Sequence, residues 1–261
     1  MKSIIIIPAR FGSSRFPGKP LALIHGKSLL HRVWSIAKAV TNVQNVYITT
    51  DDARIQQHAI EFDAEVIMTP SSCENGTTRA YEAAKSLNTK PDIVINLQGD
   101  AVLTPPWVIQ ALLNAMQKDQ TINLATLATK ISIQQYNNMR IAKNNGSVGG
   151  TMVVFDKNYR ALYFSKSMIP FLRNTSVNNL PIYKHIGLYG YRYPTLEQYI
   201  ALAPTPLEQI ESLEQLRALE NGIPIQVVEV DYKERTSHAI DSPEDVAIVE
   251  NIISKEGELI S

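Results

Sequence analysis

Arg10, Arg15 and Lys19 fall within ten residues of one another in the stretch IIIIPARFGSSRFPGKPL, residues 4 to 21, with no acid among them. Cations so crowded repel one another unless they share an anion. Gly12, Gly18, Ser13 and Ser14 supply the backbone N–H groups and hydroxyls that can wrap a phosphate chain, and the three cations would neutralise it. The stretch is not a P-loop: five residues rather than four separate Gly12 from Gly18, and Pro20 stands where Ser or Thr should follow Lys19. No Gly-x-Gly-x-x-Gly follows the apolar run either, so the dinucleotide signature is excluded. The competing reading is an ordinary charged turn.

A second stretch, VINLQGDAVLTPP at residues 94 to 106, delivers Gln98, Gly99 and Asp100 to the end of an apolar run. A carboxylate beside a polyphosphate is placed to hold Mg²⁺, which takes oxygen ligands and keeps several waters. Asp241, in HAIDSPEDV, offers a second carboxylate. Either Asp could instead cap the helix that follows it. The pair gains force only if the fold brings the two together.

The elements that must position these groups are legible in outline. Short apolar runs at Ser3 to Ile7, Asn45 to Thr49, Glu65 to Met68 and Asp92 to Leu97 predict strands. They alternate with helix-period segments at Ser28 to Val40, Asp52 to Phe62 and Thr77 to Ser86. Strands apolar throughout and separated by helices point to a parallel, doubly wound α/β sheet with ligands at the carboxyl ends of its strands. Beyond residue 147 the pattern changes: TMVVFD, RALYFS and YKHIGLYGYRY are alternating or β-branched without intervening helices, which predicts an antiparallel or mixed section. A helix is expected over Leu207 to Asn221, with Leu207, Ile210, Leu213 and Leu216 facing the core. A strand over Ile225 to Val230 and a last helix opening at DSPEDV follow.

Composition narrows the classes. The 261 residues carry 25 Lys plus Arg against 25 Asp plus Glu, so any anion site is local and nothing suggests nucleic acid or an anionic membrane as partner. One cysteine, Cys73, excludes an intramolecular disulfide and Cys-rich zinc patterns. The five-residue apolar run after Met1-Lys2 is too short for a signal-peptide core, so a cytoplasmic location is expected. No internal repeat or long linker divides the chain, and one domain over 1–261 is expected.

Taken in order, IPARFGSSRFPGKPL, NGTTR, NLQGD, ALYFSKSMIP, HIGLYGYR, PLEQIESLEQLRALENG and DSPEDV resemble the 3-deoxy-manno-octulosonate (Kdo) cytidylyltransferases, relatives of the acylneuraminate cytidylyltransferases, almost end to end. The resemblance implies a Rossmann-like nucleotidyltransferase fold with a mixed sheet, and a smaller β-rich section at about 148–193 that serves a homodimer. It implies that CTP and Kdo, or a close 3-deoxy-2-ulosonic acid, give a CMP-sugar and pyrophosphate with Mg²⁺ as cofactor, for lipopolysaccharide or capsule.

By the same resemblance Lys19, Arg10, Asp100 and Asp241 are the catalytic set, with Asp100 and Asp241 on the metal. Ala9, Arg10, Ser13, Ser14, Arg15, Lys19, Asn75, Thr77 and Arg79 would bind the nucleotide. Gln98, Lys166, His185, Tyr189, Glu214 and Gln215 would hold the sugar acid. The chain also departs from the family's pattern. Gly-Asp-Glu-Pro appears as GDAV, losing an acid at Ala101; Asn75 and Thr78 alter the Ser-Gly-Thr-acid-Arg run; Lys166 replaces an Arg, and Met152 a Lys. These changes bear on which sugar is taken, and leave open another sugar acid such as 8-amino-Kdo or a sialic acid, or a CTP-binding relative without turnover.

Overall fold

Four consecutive isoleucines, Ile4 to Ile7, form an inner strand of a nine-stranded sheet in the computed structural model, which describes residues 1–12, 15–147, 149–176 and 179–260. Alternate side chains of a strand point to opposite faces. Ile5 and Ile7 therefore join the apolar core on one face, with Leu29, Val33, Leu112 and Val249, while Ile4 and Ile6 join the core on the other, with Ala80, Ala84 and Phe164. That two-sided burial is why the run shows no polar alternation.

The first half winds as expected. β1 (Ser3–Pro8) leads through a small hairpin, β2 (Leu23–Ile24) and β3 (Lys27–Ser28), to α1 (Leu29–Lys38). β4 (Asn45–Thr50), α2 (Ala53–Ile60), β5 (Glu65–Met68), α3 (Gly76–Ser86) and β6 (Ile93–Asn96) follow. Ser28 starts α1 by accepting from His31 N, and Asn75 starts α3 by accepting from Thr78 N. β1 pairs in parallel with β4 and β6, and β4 with β5.

The second half contains more than its pattern announced. α4 (Pro106–Lys118), β7 (Leu124–Lys130) and α5 (Ile133–Asn144) precede β8 (Met152–Phe155), β9 (Ala161–Ser165) and β10 (Tyr183–Arg192). β10 lies between β6 and β7, antiparallel to both, and carries β8 and then β9 on its extension, so the sheet is mixed and runs through both halves. α6 (Tyr193–Ile200), α7 (Pro206–Glu211), α8 (Leu216–Glu220), β11 (Gln226–Glu229) and α9 (Glu244–Glu256) complete the chain, with β11 parallel to β7 at the sheet edge. Among the described residues no helix is long and apolar enough to cross a membrane.

One expected element is corrected. The helix over Leu207 to Asn221 is broken at Ser212, whose φ of 51° lies in the left-handed region. Arg217 reaches across the break to Glu208 with bonds of 2.8 and 2.5 Å, and the Glu220 carboxylate accepts from Leu207 N and Glu208 N, so α7 and α8 form a tied pair. Leu213 and Leu216 are buried as expected, but Leu207 is 39% and Ile210 80% exposed. Gln215, past the break, is buried rather than exposed.

Candidate active site

The carboxyl end of β1 delivers Pro8, Ala9 and Arg10 to the rim of the sheet. Gly18, at φ 73°, then turns the chain back, its N–H donating to Phe11 O at 2.9 Å. The short 3-10 turn Lys19–Leu21 projects Lys19 inward. Its Nζ donates to Asp100 Oδ2 at 2.7 Å and to Ile240 O at 2.8 Å, and Arg15 Nη2 meets Asp241 Oδ1 at 2.9 Å. The two carboxylates singled out in the sequence, far apart along the chain, therefore converge on two of the three loop cations. Neither acts as a helix cap: α4 begins at Pro106, and the N–H groups of Asp241 and Ser242 go to the Asp245 carboxylate.

Gly99 makes the convergence possible. A Cβ there would lie 2.6 Å from Pro8 O, closer than any side chain tolerates, so the turn after β6 can lie against β1 only with glycine.

Around these groups are two open clefts. One, of about 1080 Å³, is lined by Ala9, Arg10, Arg15, Lys19, Asn75, Gly76, Arg79 and Glu214. The other, of about 1490 Å³, is lined by His185, Tyr189, Gln215, Lys184, His238 and the Gly149–Thr151 turn. Gln98, Asp100 and Asp241 line both, so the clefts are two halves of one site that meet at the carboxylates.

In the first half Arg79 is buried, its Nη1 donating to Thr69 Oγ1 at 2.7 Å and its Nη2 3.4 Å from Asp51 Oδ1, which fixes the guanidinium. Asn75 spends its side-chain oxygen on the cap of α3. Thr77 is buried beneath the lining, its hydroxyl accepting from Asn96 Nδ2 at 3.4 Å. Ser13 and Ser14 lie outside the described residues.

The second half buries several of its polar groups. His185 is buried, its Nε2 2.9 Å from Thr126 Oγ1, and burial together with the charge of Lys166 pushes its pKa down to about 3, so the ring is neutral. Burial holds the Tyr189 phenol far above its usual range. Gln215 Nε2 and, on the first-half side, Glu214 Oε1 are buried polar atoms without a partner among the described residues. Buried groups of this kind cost free energy until a ligand pairs them. Burial also raises the Glu214 pKa.

Two expected sugar ligands fall elsewhere. Glu214 lines the first half rather than the second, and Lys166 lines neither, its backbone N–H held by Glu211 Oε2 at 2.8 Å. Met152 is fully buried in an apolar cluster with Ile131, Tyr136 and Ile182. Sequence reasoning missed Lys184, the Gly149–Thr151 turn, His238 and Asp245. His238 Nε2 lies 2.8 Å from Asp245 Oδ1, and Asp245 Oδ2 accepts from Asp241 N and Ser242 N at 2.8 Å each. Burial works against the Asp245 charge, but these bonds outweigh it and hold the carboxyl at about 2. The HxxD spacing of His238 and Asp241 was the signal that could have found the first of them.

Asp100 and Asp241 are the carboxylates of the site that would hold a hard divalent cation. Lys19 and Arg15 already place positive charge on both carboxylates. Among the described residues no group of three or more His, Cys, Asp or Glu could enclose an ion by itself, so phosphate oxygens and waters would complete the shell, as Mg²⁺ prefers.

Known proteins share this architecture. The cytidylyltransferase family model matches residues 4–230. A 3-deoxy-manno-octulosonate cytidylyltransferase of Maricaulis maris is 52% identical over all of both chains. An 8-amino-3,8-dideoxy-manno-octulosonate cytidylyltransferase of Shewanella pealeana is 41% identical over 96% of this chain and 98% of its own. The solved structure of a CMP:2-keto-3-deoxy-manno-octonic acid synthetase complexed with CTP superposes with a TM-score of 0.87 at 36% identity, covering 98% of this chain and all of the other.

Proposed function

Because the chain belongs to the 3-deoxy-manno-octulosonate cytidylyltransferase family, we propose that it joins CTP to Kdo, giving CMP-Kdo and pyrophosphate. The observation that carries the assignment to the site is the meeting of the two clefts at Gln98, Asp100 and Asp241. A nucleotide in the cation-rich half and a sugar acid in the other half would touch only there.

In the reaction the anomeric hydroxyl oxygen of the sugar forms a bond to the α-phosphorus of CTP. The bond from that phosphorus to the α–β bridging oxygen breaks, pyrophosphate leaves with the electron pair, and the hydroxyl proton passes to solvent. Arg10, Arg15 and Lys19 line the half that takes the triphosphate and offset the charge that accumulates on the leaving oxygens. Arg79, held by Thr69 and Asp51, presents a fixed edge to the nucleoside. Gln98, Tyr189 and Gln215 orient the sugar, and the neutral His185 donates or accepts without adding charge. Mg²⁺ on Asp100 and Asp241 would neutralise phosphate oxygens and polarise the attacking hydroxyl.

The test is pyrophosphate release from CTP and Mg²⁺ with Kdo. Turnover that requires both substrates is expected, and CTP binding without release on addition of Kdo would overturn the assignment.

For assembly, the extension of β8 to β10 is read as a homodimer contact, supported by Leu162 and Phe171, the latter 85% exposed. A light-scattering mass near twice 29.1 kDa is expected, and a monomer mass at working concentration would remove this reading.

A further inference from the structure

Related enzymes act on two sugars that differ at one end, a hydroxyl or an amine on carbon 8, while the reacting end is the same. The wall that meets carbon 8 must lie away from the carboxylates where the halves join. β10 supplies such a wall. Its Tyr189 pairs with Asn96, two residues before Gln98, whereas Lys184 is five residues further back and pairs with Thr129 and Met152. Because β10 bulges between Ile186 and Tyr189, its partner β7 advances only from Thr126 to Thr129 over that stretch, on the order of 10 Å at ~3.4 Å per residue.

Lys184 lines the sugar half there, beside the Gly149–Thr151 turn. It is partly buried, and neither cross-strand neighbour is an acid. Burial is the one cause that lowers its pKa, which fits an ammonium with no charged group beside it. The acids among the described residues lining this half are Asp100, Asp241 and Asp245, and each is engaged, by Lys19, Arg15 and His238 respectively. Lys166 adds positive charge nearby, close enough to depress both His185 and Lys143, and Lys143 Nζ is spent on Gly149 O and Gly150 O.

Building on the proposed reaction, we propose that Lys184 reads the far end of the sugar, accepting the terminal hydroxyl of Kdo and rejecting the ammonium of 8-amino-Kdo. A lysine ammonium only donates hydrogen bonds, so a hydroxyl can accept from it, while a second ammonium offers neither an acceptor nor opposite charge. Placing like charges opposite each other is how sites exclude a wrong partner that is otherwise the same shape.

The test measures kcat/KM for Kdo and for 8-amino-Kdo, with CTP saturating, in the wild type, Lys184→Gln and Lys184→Glu. The ratio of the two values is internal to each preparation, so a loss of folded protein cancels. The wild type should favour Kdo, Lys184→Gln should lower that preference about tenfold, and Lys184→Glu should lower it further. A wild type that favours the amino sugar, or a Kdo preference that neither substitution moves, overturns the inference while leaving cytidylyl transfer intact. A Kdo preference that falls in Lys166→Gln and not in the Lys184 variants also overturns it. Pyrophosphate release with neither sugar overturns the proposed reaction and the inference with it.

Discussion

The two halves of the cleft handle polarity in opposite ways. The half proposed for the nucleotide cross-pairs its cations, Lys19 on Asp100, Arg15 on Asp241 and the buried Arg79 beside Asp51, so that a triphosphate entering there would exchange partners with the loop cations rather than strand them. The half proposed for the sugar keeps its buried groups uncharged, with His185 neutral, Tyr189 protonated and Gln215 holding an unpaired donor, and leaves Lys184 as a cation that no acid pairs. The first half is suited to stabilising charge that develops during reaction, and the second to recognising a pattern of hydroxyls, where an unmatched buried group penalises the wrong substrate.

The contrast breaks most visibly at Lys19. Lys19→Met removes the cation that ties Asp100 to Ile240 and should lower kcat by ~10²–10³, read as pyrophosphate release, with the far-ultraviolet spectrum unchanged. A rate within a few fold of wild type would mean that the loop cations only bind. Gln215→Leu probes the other half: loss of one buried donor should raise KM for the sugar about tenfold and leave KM for CTP alone. An equal rise in both constants would show that the halves are not separate in function.

A smaller effect concerns stability and acid. The His185 pKa is about 3 in the folded chain against 6.5 for the free side chain, so below roughly pH 6.5 the unfolded chain binds a proton that the folded chain refuses. Stability should therefore fall as pH drops from about 6.5 toward 3, by up to about 1.4 kcal/mol per pH unit. His185→Gln should flatten the decline in Tm between roughly pH 6 and pH 4. The depressed Asp245 carboxyl acts in the same direction but only below its ordinary value of 3.8, so above that pH the decline belongs to His185 alone. The smallest effect is expected outside the cleft: Ile210→Ser, on the exposed face of α7, should change unfolding free energy by less than about 0.5 kcal/mol. A larger loss would show that Ile210 is covered in the assembled protein.

What the sequence revealed also divides along this line. The cation-rich loop and Asp100 were readable because each follows a strand directly, so their residue types and their place at the sheet edge come from contiguous residues. The sugar half was readable mainly where the resemblance supplied it. Lys184 and His185 are neighbours on β10, and nothing in YKHIGLYGY tells which would reach a ligand, since that depends on the bulge between Ile186 and Tyr189 and on which strands flank it. The apolar spacing of Leu207 to Leu216 read as one helix because periodicity is blind to a left-handed residue such as Ser212.

By itself, then, the sequence determined the doubly wound first half, the mixed second half, the cation-rich loop after β1 and the family, because local hydrophobic period and ordered motifs are carried by short stretches of chain. Only the tertiary structure decided that Asp241 meets Arg15 across 226 positions, that Asp100 holds Lys19 rather than capping a helix, and that Lys184 lines the second cleft. Those facts depend on strand order, on the close approach of Gly99 to Pro8, and on where the chain returns from β11 into α9, and no local pattern encodes a distance between segments that meet only when the sheet closes over its core.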